Sequence, residues 1–203
     1  MNIIHAIIFG TAGYLLGAIP FAVIIARSKG VDIFSYGSGN PGATNVKRAC
    51  GKTAGNLCFC LDALKGFLAA ILPVWANMLG AGFGGVQTLC VVGLLAAIVG
   101  HMYPIFTKFR GGKGVSVTIG GLAAFMWAAI LIGLVIWVAA FYSTKYVSVA
   151  SILMAASLPL SSPFLYGFNS VQTVLACFLA VVVIYKHKSN IQRLINGTEN
   201  RFK

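Results

Sequence analysis

Two glycine-rich stretches and a basic tail hold most of the residues able to do chemistry. The first reads Gly37-Ser38-Gly39-Asn40-Pro41-Gly42-Ala43-Thr44-Asn45-Val46-Lys47-Arg48. Glycine lets a backbone take positive φ and lets a ligand come close. Successive N–H groups in such turns form anion-binding nests. Ser38, Asn40, Thr44 and Asn45 add neutral hydrogen-bonding groups, and Lys47 and Arg48 add positive charge. The competing reading is a turn-rich connector in which Thr44 or Asn45 caps the next helix. The second stretch reads Gly100-His101-Met102-Tyr103-Pro104-Ile105-Phe106-Thr107-Lys108-Phe109-Arg110-Gly111-Gly112-Lys113-Gly114. It sets an ammonium and several backbone N–H groups just before a new helix, whose N-terminus favours anions. That combination suits a phosphate. Lys108 and Arg110, placed among aromatics, read as interfacial anchors. In the tail, His187 and Asn190 are three apart, so a helix puts them on one face.

Other chemistries find little material. A nucleotide P-loop needs G-x-x-x-x-G-K-[ST]. Gly51-Lys52-Thr53 ends that pattern, but Val46 stands at the first glycine; Gly112-Lys113 lacks the following hydroxyl residue. Asp32, Asp62 and Glu199 are the only acidic residues, too few for a carboxylate metal cage or a two-carboxylate mechanism. No histidine is followed by aspartate at the spacing of a His-x-x-x-x-Asp acyltransferase, and no His/Cys cluster suggests zinc. The cysteines lack paired spacing and read as small hydrophobes. What remains is a site rich in anion-binding donors and poor in bases. Asp62 and Lys65 stand apart: they are i,i+3 neighbours inside an apolar run. A charged pair there is either functional or a lock on helix packing.

The elements that must position these residues are membrane helices. The 203 residues are 59% apolar and 9% charged, with a mean hydropathy of +0.90. A soluble domain of this size could not bury so much apolar surface. The net charge is +12, but the basic residues cluster between apolar runs, as the positive-inside rule predicts, which excludes nucleic-acid binding as the main reading. Apolar runs place a first span at 3–26, a second at 53–78 and a third at 84–103. From Tyr146 to Tyr185 there is room for two more, with a turn near Ser161, Ser162, Pro163 and Gly167. The basic loops 27–52 and 104–113 and the tail belong on the cytoplasmic side. Lys145 then also lies inside, and 114–144 must cross twice as two short helices. The expectation is a single-domain, all-α polytopic membrane protein over 1–203. It has about seven transmembrane helices, the N-terminus outside and the C-terminus cytoplasmic. If 146–165 does not cross fully, 114–144 is one long span and the count is five.

Taken in order, the motifs resemble those of the bacterial acyl-phosphate:glycerol-3-phosphate acyltransferase family. Gly37 to Asn45 with Lys47-Arg48 is similar to its first motif, Gly100 to Val115 to its second, and His187-x-x-Asn-Ile-x-Arg-Leu-x-x-Gly-x-Glu199 to its third; Asp62-x-x-Lys65-Gly66 also matches. Order, spacing and length agree over nearly the whole chain. The resemblance implies acyl transfer from acyl phosphate to the 1-hydroxyl of glycerol 3-phosphate, giving lysophosphatidic acid and phosphate. It implies a multi-pass protein of the bacterial inner membrane, its site facing the cytoplasm, with no metal, cofactor, coenzyme A, acyl carrier protein or obligatory protein partner. By position, Ser38, Arg48, Lys113, His187 and Asn190 would be catalytic. Gly37, Gly39, Asn40, Thr44, Asn45, His101, Gly111, Gly112, Gly114, Arg193 and Glu199 would contact substrate. A base is His187, His101 or a substrate phosphate; Ser38 as a covalent nucleophile is a third route. The competing function is a small transporter or channel for an anionic metabolite.

Overall fold

The computed structural model describes residues 2–202. The described residues form ten α-helices and no strand. They group into two compact units, Met1–Phe125 and Met126–Lys203.

The first unit contains α1 (Ile3–Ala18), α2 (Phe21–Arg27), α3 (Ala43–Cys50), α4 (Lys52–Ala76), α5 (Val86–Met102) and α6 (Val115–Ala123). The expected single first span is broken. Proline has no N–H and pushes the preceding residue out of the helical region; Ile19, before Pro20, has ψ 116°. The chain resumes as α2, and the Ile19 carbonyl is turned out of the helix. α4 is the hub and packs against α1, α2, α3, α5 and α6. Small residues let the backbones meet, as helices in lipid require. A Cβ at Gly13 would strike the Gly93 carbonyl of α5, and one at Gly66 would strike the Val117 carbonyl of α6. Beneath the first glycine-rich loop lies a core of Ala22, Val23, Ile25, Ala26, Ile33, Val46, Ala54 and Cys58. The loops after α2 and after α5 leave the same end of the unit, opposite the 77–85 turn.

The second unit contains α7 (Trp127–Thr144), α8 (Val147–Tyr166), α9 (Val171–Lys186) and α10 (Lys188–Ile195). The expected turn near 161–167 falls at its last residue. α8 runs through Pro159 and Pro163 to Tyr166, and the reversal falls at Gly167, with φ 92°. α9 and α10 form a bent pair at 54°.

Five helical segments are long and apolar enough to cross a membrane, six if the bent pair counts as one span. Their outward side chains, among them Leu57, Val135, Val174 and Val181, are exposed and apolar, as a lipid-facing surface requires. The stretch 114–144 forms two helices, separated at 124–126. The first is short: nine residues rise about 14 Å, half of a hydrocarbon core of about 30 Å. Cys58 and Cys90 are buried, and all five cysteines are free.

Candidate active site

In the first unit, the first glycine-rich loop is folded by its own asparagine. Asn45 is 1% exposed. Its Nδ2 donates to the Ile33 and Tyr36 carbonyls at 3.2 and 2.8 Å, and its Oδ1 accepts from Ser38 N–H at 3.2 Å. A side chain with that much of its capacity used is a staple for the loop. The cap of α3 is Gly42, so neither Thr44 nor Asn45 caps it; both lie in its first turn. Ser38, Gly39, Asn40 and Thr44 are half-buried at the loop's surface, and Gly37 is exposed. Ser38 Oγ accepts from Asn40 N–H at 3.4 Å. Tyr36 Oη donates to the Arg48 carbonyl at 3.3 Å, tying the loop to α3.

The second loop reverses sharply at Lys108 and Phe109, which have φ 53° and 60°. Phe109 N–H donates to the Pro104 carbonyl at 2.9 Å, and Gly112 N–H to the His101 carbonyl at 3.1 Å. Gly111 and Gly112 are thereby laid back along the end of α5. Gly114, at φ 83°, is the N-cap of α6, so half-buried Lys113 precedes the helix start directly. Arg110 does more than anchor: its guanidinium sits 4.3 Å over the Phe34 ring, a cation–π contact that ties the two loops together. A cleft of about 240 Å³, counting its open mouth, runs between the α1–α2 break and the second loop; Ile19, Pro41, Lys65, His101, Arg110 and Gly112 are among its walls.

The Asp62–Lys65 pair forms as spaced, with Nζ 2.8 Å from Oδ1. The sequence did not reveal its company. His101 Nδ1 lies 3.6 Å from the same oxygen, and Lys65 Nζ donates to the Ile19 carbonyl at 2.9 Å.

In the second unit, His187 lies at the α9–α10 bend, and α10 carries Asn190 and Arg193. His187 is 4% exposed, and its Nδ1 lies 2.8 Å from the Val183 carbonyl. A carbonyl only accepts, so Nδ1 carries the proton and Nε2 holds the lone pair of the neutral ring. Glu199 accepts from Asn190 Nδ2 at 2.6 Å, Ser148 Oγ at 3.0 Å and Arg193 Nε at 2.7 Å. Glu199 is therefore engaged with Arg193, Asn190 and Ser148 within the unit. These bonds clasp the tail and orient the Asn190 amide. Burial opposes the charge on Glu199, but the hydrogen bonds from Asn190, Arg193 and Ser148 outweigh it and hold its carboxyl below the ordinary value of 4.5. A depressed carboxylate stabilises the fold above its ordinary value, and that contribution is lost as pH falls through the native value. Acidification below pH 4.5 should release residues 196–202 to protease well before the helices melt. Glu199→Gln should be cleaved there already at neutral pH. A cleavage profile independent of pH in the wild type would refute the clasp.

These features define a class: a polytopic membrane protein with two apposed glycine-rich, cationic loops. A family model described as glycerol-3-phosphate acyltransferase matches residues 7–197. The chain is 41% identical to the glycerol-3-phosphate acyltransferase of Aquifex aeolicus (strain VF5), covering 100% of both chains. It is 43% identical to that of Endomicrobium trichonymphae, over 94% of this chain and 92% of the relative. A crystal structure of PlsY, an integral membrane glycerol 3-phosphate acyltransferase in its glycerol 3-phosphate form, superposes with a TM-score of 0.86 at 40% identity, over 98% of this chain and 96% of that one. The chain belongs to the glycerol-3-phosphate acyltransferase family, and is an integral membrane enzyme of phospholipid synthesis.

Proposed function

We propose that this enzyme transfers a fatty acyl group from acyl phosphate to the 1-hydroxyl of glycerol 3-phosphate, releasing lysophosphatidic acid and inorganic phosphate. The observation that carries the reading is the apposition of two loops more than sixty residues apart. Arg110 seats on Phe34, and Pro41 and Gly112 face the same cleft. Two clustered cation- and amide-rich loops suit a reaction between two phosphorylated substrates. A glycerol 3-phosphate form and a lysophosphatidic acid form of the related PlsY support the acceptor and the product.

Acyl phosphate is a mixed anhydride, so its leaving group is already good. The protein's work is proximity and charge neutralisation. Lys113, Arg48 and the loop amides hold the phosphates, with the Ser38 hydroxyl beside them in the first loop; His187 and Asn190, in the second unit, take catalytic roles on the strength of the tail motif; the acyl chain lies in a lipid-facing groove. The hydroxyl oxygen attacks the acyl carbon, the carbonyl re-forms, and the C–O bond to phosphate breaks. A substrate phosphate oxygen takes the hydroxyl proton. His101 is turned to Asp62, and among the described residues no histidine or carboxylate is hydrogen-bonded to Ser38, so a covalent serine step has no base to start it. Residues 1–203 act as one domain, without cofactor or obligatory protein partner. The protein crosses the bacterial inner membrane seven times, α6 included, with the N-terminus outside and both loops cytoplasmic.

Purified protein in lipid should release inorganic phosphate from acyl phosphate only when glycerol 3-phosphate is present, with one lysophosphatidic acid formed per phosphate. Release without the acceptor, or none with both, would overturn the reading. Sequential kinetics are expected; ping-pong kinetics would restore the serine route.

A further inference from the structure

One group of buried charges in the first unit takes no part in the reaction just described. Asp62, Lys65 and His101 are 1%, 3% and 8% exposed. One oxygen of the Asp62 carboxylate lies 2.8 Å from the Lys65 ammonium and 3.6 Å from the His101 imidazole. The second oxygen accepts from the Cys58 thiol at 3.7 Å. Lys65 is tied in turn to the Ile19 carbonyl that Pro20 turns out of the first span. A purely mechanical joint would be served as well by apolar side chains, because buried ion pairs barely repay their desolvation.

What His101 touches gives the group a task. Its carbonyl accepts the Gly112 N–H at 3.1 Å. A Cβ on Gly112 would overlap the imidazole at Nε2, and a Cβ on Gly111 would overlap the His101 carbonyl. The Gly111–Gly112 backbone is thus laid directly on His101, and Lys113 and the start of α6 follow without slack. At 3.6 Å the Asp62 contact is electrostatic rather than a full hydrogen bond, and it sets which way the ring faces.

We propose that Asp62 and Lys65 are positioning residues: they fix the His101 ring, which sets the path of Gly111–Gly112 and so the place of the Lys113 ammonium and the loop amides. This rests on the reading of that loop as a phosphate cradle. The order of action is α4 carboxylate, α5 imidazole, loop backbone, bound phosphate. A misplaced cradle weakens binding of the phosphate that it holds, and leaves the other substrate untouched.

The test compares Asp62→Asn with the double variant Asp62→Asn/Lys65→Met. The single variant leaves an ammonium buried without its carboxylate; the double is neutral and nearly unchanged in volume, so it keeps the helix packing. Each is judged by monodispersity and thermal midpoint in detergent, by kcat and KM for both substrates, and by calorimetric Kd for glycerol 3-phosphate. The double variant should keep the wild-type midpoint while KM for one substrate rises about 10- to 100-fold and the other KM stays within about threefold. Gly112→Ala, which presses on the same contact from the loop side and keeps every buried charge, should give the same split and carries the test if the double variant does not fold. Wild-type KM for both substrates in folded variants, or equal loss for both, overturns the proposal. If the wild type acylates glycerol 3-phosphate from a different donor only, the donor assignment fails by itself, and positioning is still read from KM with that donor and from the glycerol 3-phosphate Kd.

Discussion

Lys113→Ala should lower kcat/KM by about 10³-fold or more, the scale set by removing one preorganised donor from a charge that develops in the transition state. Lys113 stands between buried Gly112 and Gly114, which caps α6 at φ 83°. Lys113 thus brings a full positive charge to the loop directly before the N-terminus of α6. In the proposed reaction the negative charge on phosphate grows as it departs from the acyl carbon, and the ammonium would offset more of it than in the ground state. The loss should fall on kcat as well as on KM for that reason. Lys113→Arg should recover only part of the rate, because a planar guanidinium does not replace a compact point charge in a tight glycine turn. The comparison is made on protein of wild-type thermal midpoint, by phosphate release under saturating and limiting substrate. Near-wild-type turnover by Lys113→Ala would mean that the loop does not cradle a reacting phosphate.

The motifs were legible because each is local: a glycine-rich run, its cations and the helix that follows lie within about a dozen residues, and period and charge place them without tertiary knowledge. The apolar runs were legible for the same reason, since lipid leaves few ways to satisfy a backbone. What was not legible lay where a residue's partner is distant or its type ambiguous. An asparagine in a polar loop can face a ligand or fold the loop; Asn45 folds it, through bonds to Ile33, Tyr36 and Ser38. Glu199 and Arg193 look equally suited to substrate, yet they satisfy each other. The break at Pro20 was missed in a run so evenly apolar, and a side-chain donor to the displaced Ile19 carbonyl is Lys65, 46 residues on. Nothing in the spacing joins Asp62 to His101. Of the residues read as a turn near 161–167, Gly167 ends the helix, while α8 carries Pro163 within it.

The placement of Lys113 also depends on how closely α6 approaches α4, which makes Gly66 the second site of large effect. A Cβ on Gly66 would run into the Val117 carbonyl, and on the opposite helix a Cβ at Gly120 would run into the Ala63 carbonyl. The contact is reciprocal and backbone to backbone, so no flexible side chain can give way. Gly66→Leu must push α6 off α4, and the loop that ends at Gly114 moves with it. Overpacking of this kind costs about 3 kcal/mol, a large part of a marginal stability of about 5–15 kcal/mol. The expected result is a lowered thermal midpoint, aggregation during extraction, and at least a hundredfold lower turnover in whatever fraction stays monodisperse, since about 1 Å of displacement at a reacting group costs about that much. Gly66→Ala should show the same direction at smaller amplitude. Gly84→Ala is the control: Gly84 is exposed in the turn before α5, its φ is ordinary, and nothing stands within 4 Å of an added Cβ. It should match the wild type in midpoint and rate. If Gly66→Leu folds and turns over normally, the α4–α6 crossing is not what holds the loop in place, and the position of Lys113 must be set from α5 alone.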